Sequence, residues 1–316
     1  MALPAIADVR RTWPDARLSV AARPSIAPLF SLVPDVNDIV VLPRGGASAA
    51  AAALAPHSFD AAILLPNSFQ IALAARRAGI PERWGYRADW RGPLLTRGVT
   101  RPERVHQAEY YQRLVAAVGC ANGPMRPRLD ASNELRARGE ALLASAGWNR
   151  GARLVAFAPG AAYGGAKRWP AESFAAAAGA LSNAGAVQIV LIGASGDRAA
   201  GAEVAGSLPP TSVVNLIGQT DLPALAGVLA ATRGLVTNDS GAMHFAAALG
   251  IPVTAMFGPT REAETRPLSS SAAVDPVVLT HEVWCRPCML RECPLTHRCM
   301  RGITVDAVVA AARRAL

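Results

Sequence analysis

Aromatic residues make up only 5% of this 316-residue chain, and lysine is nearly absent from it. Alanine fills much of the apolar fraction of 51% instead, a composition suited to helices packed closely on sheets. No stretch is long and apolar enough to read as a membrane span. The most apolar ones are cut by Gly250 and Pro252, or by Ser182, Asn183 and Gln188. A basic N-terminal region followed by an apolar core is also missing, so no signal peptide is expected and a soluble cytoplasmic protein is. No Asp-x-Asp pair occurs, which removes one common way of seating a metal ion against a diphosphate.

The charge balance is one-sided. Against 23 Asp and Glu stand 32 Lys and Arg, a net charge of +9, which draws a protein to polyanions. No nucleic-acid motif accompanies it. Arginines gather in the N-terminal half at Arg76, Arg77, Arg83, Arg87, Arg91, Arg97, Arg101 and Arg104. Arginine suits bidentate binding of carboxylates and phosphates. A solvated face in an arginine-rich proteome explains the same cluster.

The length allows two domains. In the C-terminal half, apolar strands are expected at Leu154–Ala158, Val187–Ile192, Val213–Ile217, Leu235–Thr237 and Val253–Phe257. Helices are expected between them near Ala171–Asn183, Asp197–Ser207, Leu222–Thr232 and Ala242–Leu249. This alternation means a parallel, doubly wound sheet with ligands at the strands' C-terminal ends. The N-terminal half repeats the rhythm more weakly, with strands at Leu18–Ala21, Ile39–Leu42 and Ala61–Leu65. Its helices read near Ala47–Ala55, Gln70–Ala78 and His106–Val118. Residues Ala121 to Leu129, rich in Gly, Pro and Arg, read as a linker between domains 1–129 and 130–316. A helix at Leu135–Ala146 opens the second domain and an amphipathic helix at Ile303–Leu316 closes the chain.

Motif residues fall at the expected strand ends. Thr237 to Thr260, TNDSGAMHFAAALGIPVTAMFGPT, reads as a strand end, a polar turn, a short helix with His244, and a strand running into a GPT loop. The turn Asn238-Asp239-Ser240-Gly241 lies where helix N–H groups are unsatisfied, a natural anion site. Asp239 or Ser240 reads equally as an ordinary helix N-cap, and His244 alone as a core histidine. Upstream, Pro159 to Pro170 reads PGAAYGGAKRWP. Lys167 is a point charge just before a helix that starts at Pro170.

Together these two segments resemble the ADP-heptose:lipopolysaccharide heptosyltransferase family, closest to its heptosyltransferase II branch. The resemblance implies a GT-B α/β fold, two Rossmann-like domains facing a central cleft. It implies inverting transfer of heptose from ADP-L-glycero-D-manno-heptose to the lipopolysaccharide inner core, as the second heptose, with no cofactor required. On this resemblance Lys167 neutralises the leaving diphosphate. Gly160, Asp197, Asp239, Ser240, Gly241 and His244 line the donor site, Asp197 near the ribose, although that residue is also a good N-cap for its own helix. The turn Asn67-Ser68-Phe69 and the arginines would face a phosphorylated, Kdo-bearing lipid A acceptor. Peripheral association with the anionic inner face of the inner membrane follows.

One departure stands out. Family members begin with an apolar strand and a glycine loop carrying an aspartate base, then a helix like Met1-Ala2-Leu3-Pro4-Ala5-Ile6. This chain starts inside that helix, so the first strand and the base are expected to be missing, and Asp8 and Asp15 do not replace the base. The expected N-terminal sheet then has two bare strand edges. A start site placed too far downstream is favoured; a truncated remnant that binds ADP or a nucleotide sugar without turnover is the alternative. A further alternative is another GT-B enzyme, such as a nucleotide-sugar epimerase.

Four of five cysteines form Cys285-x2-Cys288-x4-Cys293-x5-Cys299, flanked by His281 and His297. The first pair suits structural zinc, and the second lacks the usual spacing. Free thiols are the favoured reading, with a metal site on these four residues, structural zinc or iron–sulfur, as the minority one.

Overall fold

The computed structural model describes residues 1–183 and 187–316. They form two compact units, Met1–Pro127 and Arg128–Leu316. Both are α/β with parallel sheets.

The first unit runs α1 (Leu3–Thr12), β1 (Ser19–Ala22), β2 (Asp38–Val41), α2 (Gly46–Leu54), β3 (Ala61–Leu64), α3 (Phe69–Arg77), β4 (Glu82–Tyr86), β5 (Arg97–Val99) and α4 (Gln107–Ala117). Its strands make two sheets, β1-β2 and β3-β4-β5, every pairing parallel. Among the described residues β1 pairs only with β2 and β3 only with β4. Helices connect the two sheets where strands do not. Ala5 and Val9 of α1 pack on Val115 of α4 and on Cys120, and both Leu18, just before β1, and Ile63 of β3 lie against that cluster. On α2 and α3, alanines let the two helices come close over Val40 and Leu42. Asp8 is fully buried and ties this unit together. Its carboxylate accepts from Gln112 Nε2 at 2.8 Å, from the Gly123 amide at 2.9 Å and from Arg11 Nη1 at 2.6 Å.

Strands β4 and β5 are absent from the sequence expectation. ERWGY and RGV have no apolar run, and they become strands because β3 offers a parallel edge on which to extend.

The second unit runs α5 (Asn133–Ser145), β6 (Arg153–Ala158), α6 (Ala171–Ser182), β7 (Val187–Leu191), α7 (Arg198–Gly206), β8 (Val213–Asn215), α8 (Leu222–Ala230), β9 (Thr232–Asn238), α9 (Gly241–Ala248), β10 (Val253–Phe257), α10 (Glu262–Thr265), β11 (Val277–Thr280), α11 (Arg298–Arg301) and α12 (Val305–Arg313). One parallel sheet has the order β11-β10-β9-β6-β7-β8. Val155, Phe157, Ile189, Leu191, Val236 and Met256 point to one face, under α6, α7 and α12. Leu154, Ala156, Val190, Leu235 and Ala255 are buried as well, so both faces are covered, as parallel sheets require. The strand expected to reach Ile217 ends at Asn215. The terminal helix α12 packs on α6 and on β9, β10 and β11 of its own unit.

Strand order reverses between β6 and β9, neighbours in the sheet though far apart in the chain. That crevice, at the strands' C-terminal ends, is where open α/β sheets bind ligands.

Candidate active site at the carboxyl ends of β6, β7 and β9

Lys167, the chain's only lysine, sits in a single helical turn, Gly165–Lys167, after β6. Its Nζ lies 2.5 Å from Asp239 Oδ2, just past the end of β9. Thr260 Oγ1, beyond β10, donates to the same oxygen at 2.6 Å. Three consecutive strands of the sheet, β6, β9 and β10, therefore meet in one side-chain cluster. The Lys167 ammonium also lies 4.6 Å from the centre of the Tyr163 ring, a cation–π contact that fixes the side chain from a second side.

The capping reading of the polar turn is corrected here. Ser240 occupies the N-cap position of α9 but makes no side-chain cap bond; its hydroxyl instead pairs with Thr237 Oγ1 at 3.1 Å. The Asp239 carboxylate turns to Lys167 and Thr260. The first amides of α9 thus keep no side-chain acceptor among the described residues, and a Cβ added at Gly241 would meet open space. Helix N-terminus and ammonium together make a concentrated site for negative charge. His244 lies half-buried on the same helix.

Asn238 holds the crevice in shape, a role sequence reading did not assign. It is fully buried. Its Oδ1 accepts from the Trp169 amide at 2.9 Å, and its Nδ2 donates to Pro159 O at 2.8 Å and Gly160 O at 3.3 Å. Both ends of the PGAAYGGAKRWP loop are stapled to β9 by one amide side chain. Trp169 anchors the loop's exit, buried with its Nε1 donating to Ile303 O at 2.9 Å. An amide residue closing a buried strand was the one available signal.

Asp197 stands at the N-cap position of α7 without capping it. Its Oδ2 accepts from the Ala194 amide at 3.0 Å, which turns the carboxylate back over the ends of β6 and β7. A Cβ at Gly160 would lie 2.1 Å from the Asp197 Cγ, and one at Gly193 would lie 3.0 Å from its Oδ2. Glycine at 160 is what lets the carboxylate come this close. Gly160, Asp197, Lys167, Asp239, Ser240 and Gly241 all fall at the carboxyl ends of the sheet.

The cysteine segment runs beside the loops of this site. Among the described residues no three His, Cys, Asp or Glu side chains are arranged to hold a metal ion. Cys299 is buried, whereas Cys285, Cys288 and Cys293 are half-buried. Burial pushes the Cys299 thiol up, and the other three thiols add to that shift. Hydrogen bonds lay the segment as a strap across the site loops. Ala166 N donates to Arg291 O at 2.9 Å, and Met289 N to Pro259 O at 2.9 Å. Tyr163 Oη donates to Met289 O at 2.8 Å, and Arg286 Nε to Gly258 O at 2.7 Å.

The arginine cluster of the first unit divides. Arg83 donates to the carbonyls of Ile80, Pro81 and Leu94, and Arg97 to Val118 O. Arg91 is fully buried among the carbonyls of Leu64, Pro66 and Tyr86 and the Asn67 side chain. Arg83 and Arg91 are committed to the unit's own backbone, which corrects the reading that the whole cluster faces a ligand; Arg97 is exposed apart from its one bond. Arg87, Arg101 and Arg104 are exposed.

Residues 48–298 match the sequence profile of glycosyltransferase family 9 (heptosyltransferase). Over 287 residues the chain is 34% identical to lipopolysaccharide heptosyltransferase 2 of Salmonella typhimurium, spanning 84% of this chain and 81% of that protein. It is similar to the structure of E. coli ADP-heptose LPS heptosyltransferase II, with a TM-score of 0.81 at 29% identity over 99% of this chain and 93% of that one. A family 9 glycosyltransferase from Veillonella parvula, 20% identical, shares the fold with a TM-score of 0.84 over 99% of this chain and 92% of that one.

Proposed function

This chain belongs to glycosyltransferase family 9, and we propose that it transfers heptose from ADP-L-glycero-D-manno-heptose to the lipopolysaccharide inner core, as the second heptose and with inversion. The carrying observation is the Lys167–Asp239–Thr260 cluster beside the open amides of α9.

As the bond between the sugar's anomeric carbon and the phosphate oxygen breaks, its electron pair goes to the departing ADP. Lys167 and the α9 amides stabilise that growing charge, and they are already in place when it develops. Asp239 and Thr260 hold the ammonium in position before the donor arrives. On this reading Asp197, close over Gly160 and Gly193, accepts from a ribose hydroxyl of the donor. Inversion requires the acceptor hydroxyl to attack from the opposite side and lose its proton to a base. Neither N-terminal aspartate suits that task, because Asp8 is buried on Gln112 and Gly123 and Asp15 lies exposed just after α1. The chemistry calls for no metal, since the positive charge comes from the protein.

No helix of the described residues is long and apolar enough to cross a membrane. The proposed acceptor, a Kdo-bearing lipid A core, is itself membrane-embedded. The reading therefore includes peripheral attachment at the cytoplasmic face of the inner membrane. Incubation with ADP-heptose and a core acceptor lacking the second heptose tests the transfer. ADP release that requires the acceptor, with a product one heptose heavier, is expected. Donor binding without release contradicts the reading.

A further inference from the structure

Trp90 and Arg91 are adjacent in sequence and opposite in environment. Trp90 is 94% exposed, whereas Arg91 is 0% exposed. The Arg91 guanidinium plugs into the ends of β3 and β4, donating to Tyr86 O at 2.9 Å, to Pro66 O, and to Asn67 Oδ1 at 3.3 Å. Its own amide donates to Ala88 O at 3.0 Å, closing a turn. Inside that turn Asp89 and Trp90 both take left-handed backbone conformations, φ 48° and 60°. Two successive non-glycine residues there are sterically costly; the Arg91 hydrogen bonds hold the turn, while the 94% exposed indole contributes almost no packing to it. A fixed base thus presents a large apolar ring to the outside.

The surroundings repeat the theme. The other large exposed apolar residues of the first unit are Ile26, Val41 and Phe69. Ile26 follows β1, Val41 ends β2 and Phe69 follows β3, so all lie with Trp90 at the strands' C-terminal ends. The turns after β2 and β3 touch, because the Ala47 amide donates to Gln70 Oε1 at 3.1 Å. Arg23, Arg44, Arg87, Arg101 and Arg104 are exposed in the loops at these strand ends, among the acids Asp89 and Glu103. None of the five arginines forms an ion pair among those identified in the described residues. An indole at a tip, smaller apolar residues around it and an excess of unpaired guanidinium groups match the chemistry of a bilayer interface carrying anionic headgroups.

We propose that the strand-end edge of the first unit, with Trp90 as its tip, is the surface by which this protein seats on an anionic lipid bilayer. The inference rests on the peripheral-membrane part of the reading above and is independent of its transfer chemistry. A protein-only partner would bury such a Trp without needing lipid charge, and a soluble acceptor sugar would cover it without lipid at all.

Cosedimentation with vesicles of phosphatidylglycerol and phosphatidylcholine, against phosphatidylcholine alone, tests this without any turnover. The full chain should bind only the anionic vesicles. Trp90→Ala should weaken that binding by about ten-fold and leave the thermal midpoint unchanged, because the ring has so little to pack on. Trp284→Ala removes an indole that is 83% exposed in the second unit and should bind like the parent chain. Brominated lipids should quench the parent and the Trp284 variant, but lose most of that quenching in Trp90→Phe. Equal binding by the Trp90 variants and the parent overturns the proposal, as does failure of the parent to bind anionic vesicles. So does protection of Trp90 by a soluble core oligosaccharide in a chain that ignores vesicles, which would make this edge an acceptor contact. ADP release from a soluble acceptor, measured separately, reports on the transfer reading whatever the vesicles show.

Discussion

Asp239 Oδ2 is shared by Lys167 Nζ at 2.5 Å and Thr260 Oγ1 at 2.6 Å, so one carboxylate oxygen joins the loops that follow β6 and β10 to the end of β9. Asp239→Asn should keep the fold but leave the ammonium poorly held. We expect transfer to drop by about 10²-fold, in the range for loss of one preorganised charge-stabilising group. Thr260→Val should cost less, about 1 kcal/mol in stability for one lost hydrogen bond. Steady-state ADP release and urea unfolding separate the two effects.

Asn238→Ala removes three hydrogen bonds at once and leaves the Trp169 amide and the Pro159 carbonyl without that partner in a buried site. A loss of about 2–4 kcal/mol is expected. It should appear as a lower urea midpoint for the second unit, with donor affinity falling in parallel because the Lys167 loop is released at both ends.

Gly160→Ala places a methyl 2.1 Å from the Asp197 carboxyl carbon, so one of the two must move. Donor affinity should fall at least about ten-fold, a misplacement effect. Adding Asp197→Ala to that variant should restore the fold's stability but not the affinity. A double-mutant cycle on thermal midpoint and donor affinity checks both halves.

Glycines also set the α5–α8 contact. A Cβ at Gly227 would lie 1.9 Å from Leu135 O, and one at Gly139 would lie 2.1 Å from Gly227 C. Gly227→Ala should destabilise the second unit by about 1–3 kcal/mol through overpacking. Urea unfolding followed by far-UV circular dichroism measures it.

Burial pushes the Tyr86 phenol up to about 12 from its ordinary value of 10.0, and its hydroxyl donates to Tyr110 O at 2.6 Å. The folded state therefore holds this proton more tightly than the unfolded state. Its contribution to stability is complete below pH 10 and disappears as pH climbs toward 12. A spectrophotometric titration of the native protein should show a late tyrosinate component, which Tyr86→Phe diminishes and to which the Tyr111 phenol, also pushed up by burial, still contributes. An early, complete titration of all the tyrosines with the fold intact would contradict this.

Much of the second unit was legible because its strands are buried on both faces and read as plain apolar runs. Val253–Phe257 is found at the expected bounds, and Arg153–Ala158 differs by one residue. Strands β4 and β5 were not legible: Arg83, Trp84 and Arg97 obey no alternation, and only the neighbouring edge makes them strands. Lys167 and Asp239 could each be named from the motifs. That they bind each other, and that Ser240 leaves α9 uncapped, depends on β6 and β9 being sheet neighbours, which chain order conceals. Likewise, nothing local distinguishes Arg91, fully buried on carbonyls, from Arg87, four residues earlier and exposed.

Calorimetric titration of ADP and of adenosine into the parent chain and Lys167→Ala is the most direct test that the diphosphate binds at this cluster. The geometry predicts that the variant loses at least about ten-fold in ADP affinity, the value of one charge-assisted contact, while adenosine binds both proteins alike. Equal ADP affinity in the two proteins, or an equal loss for adenosine, would contradict it.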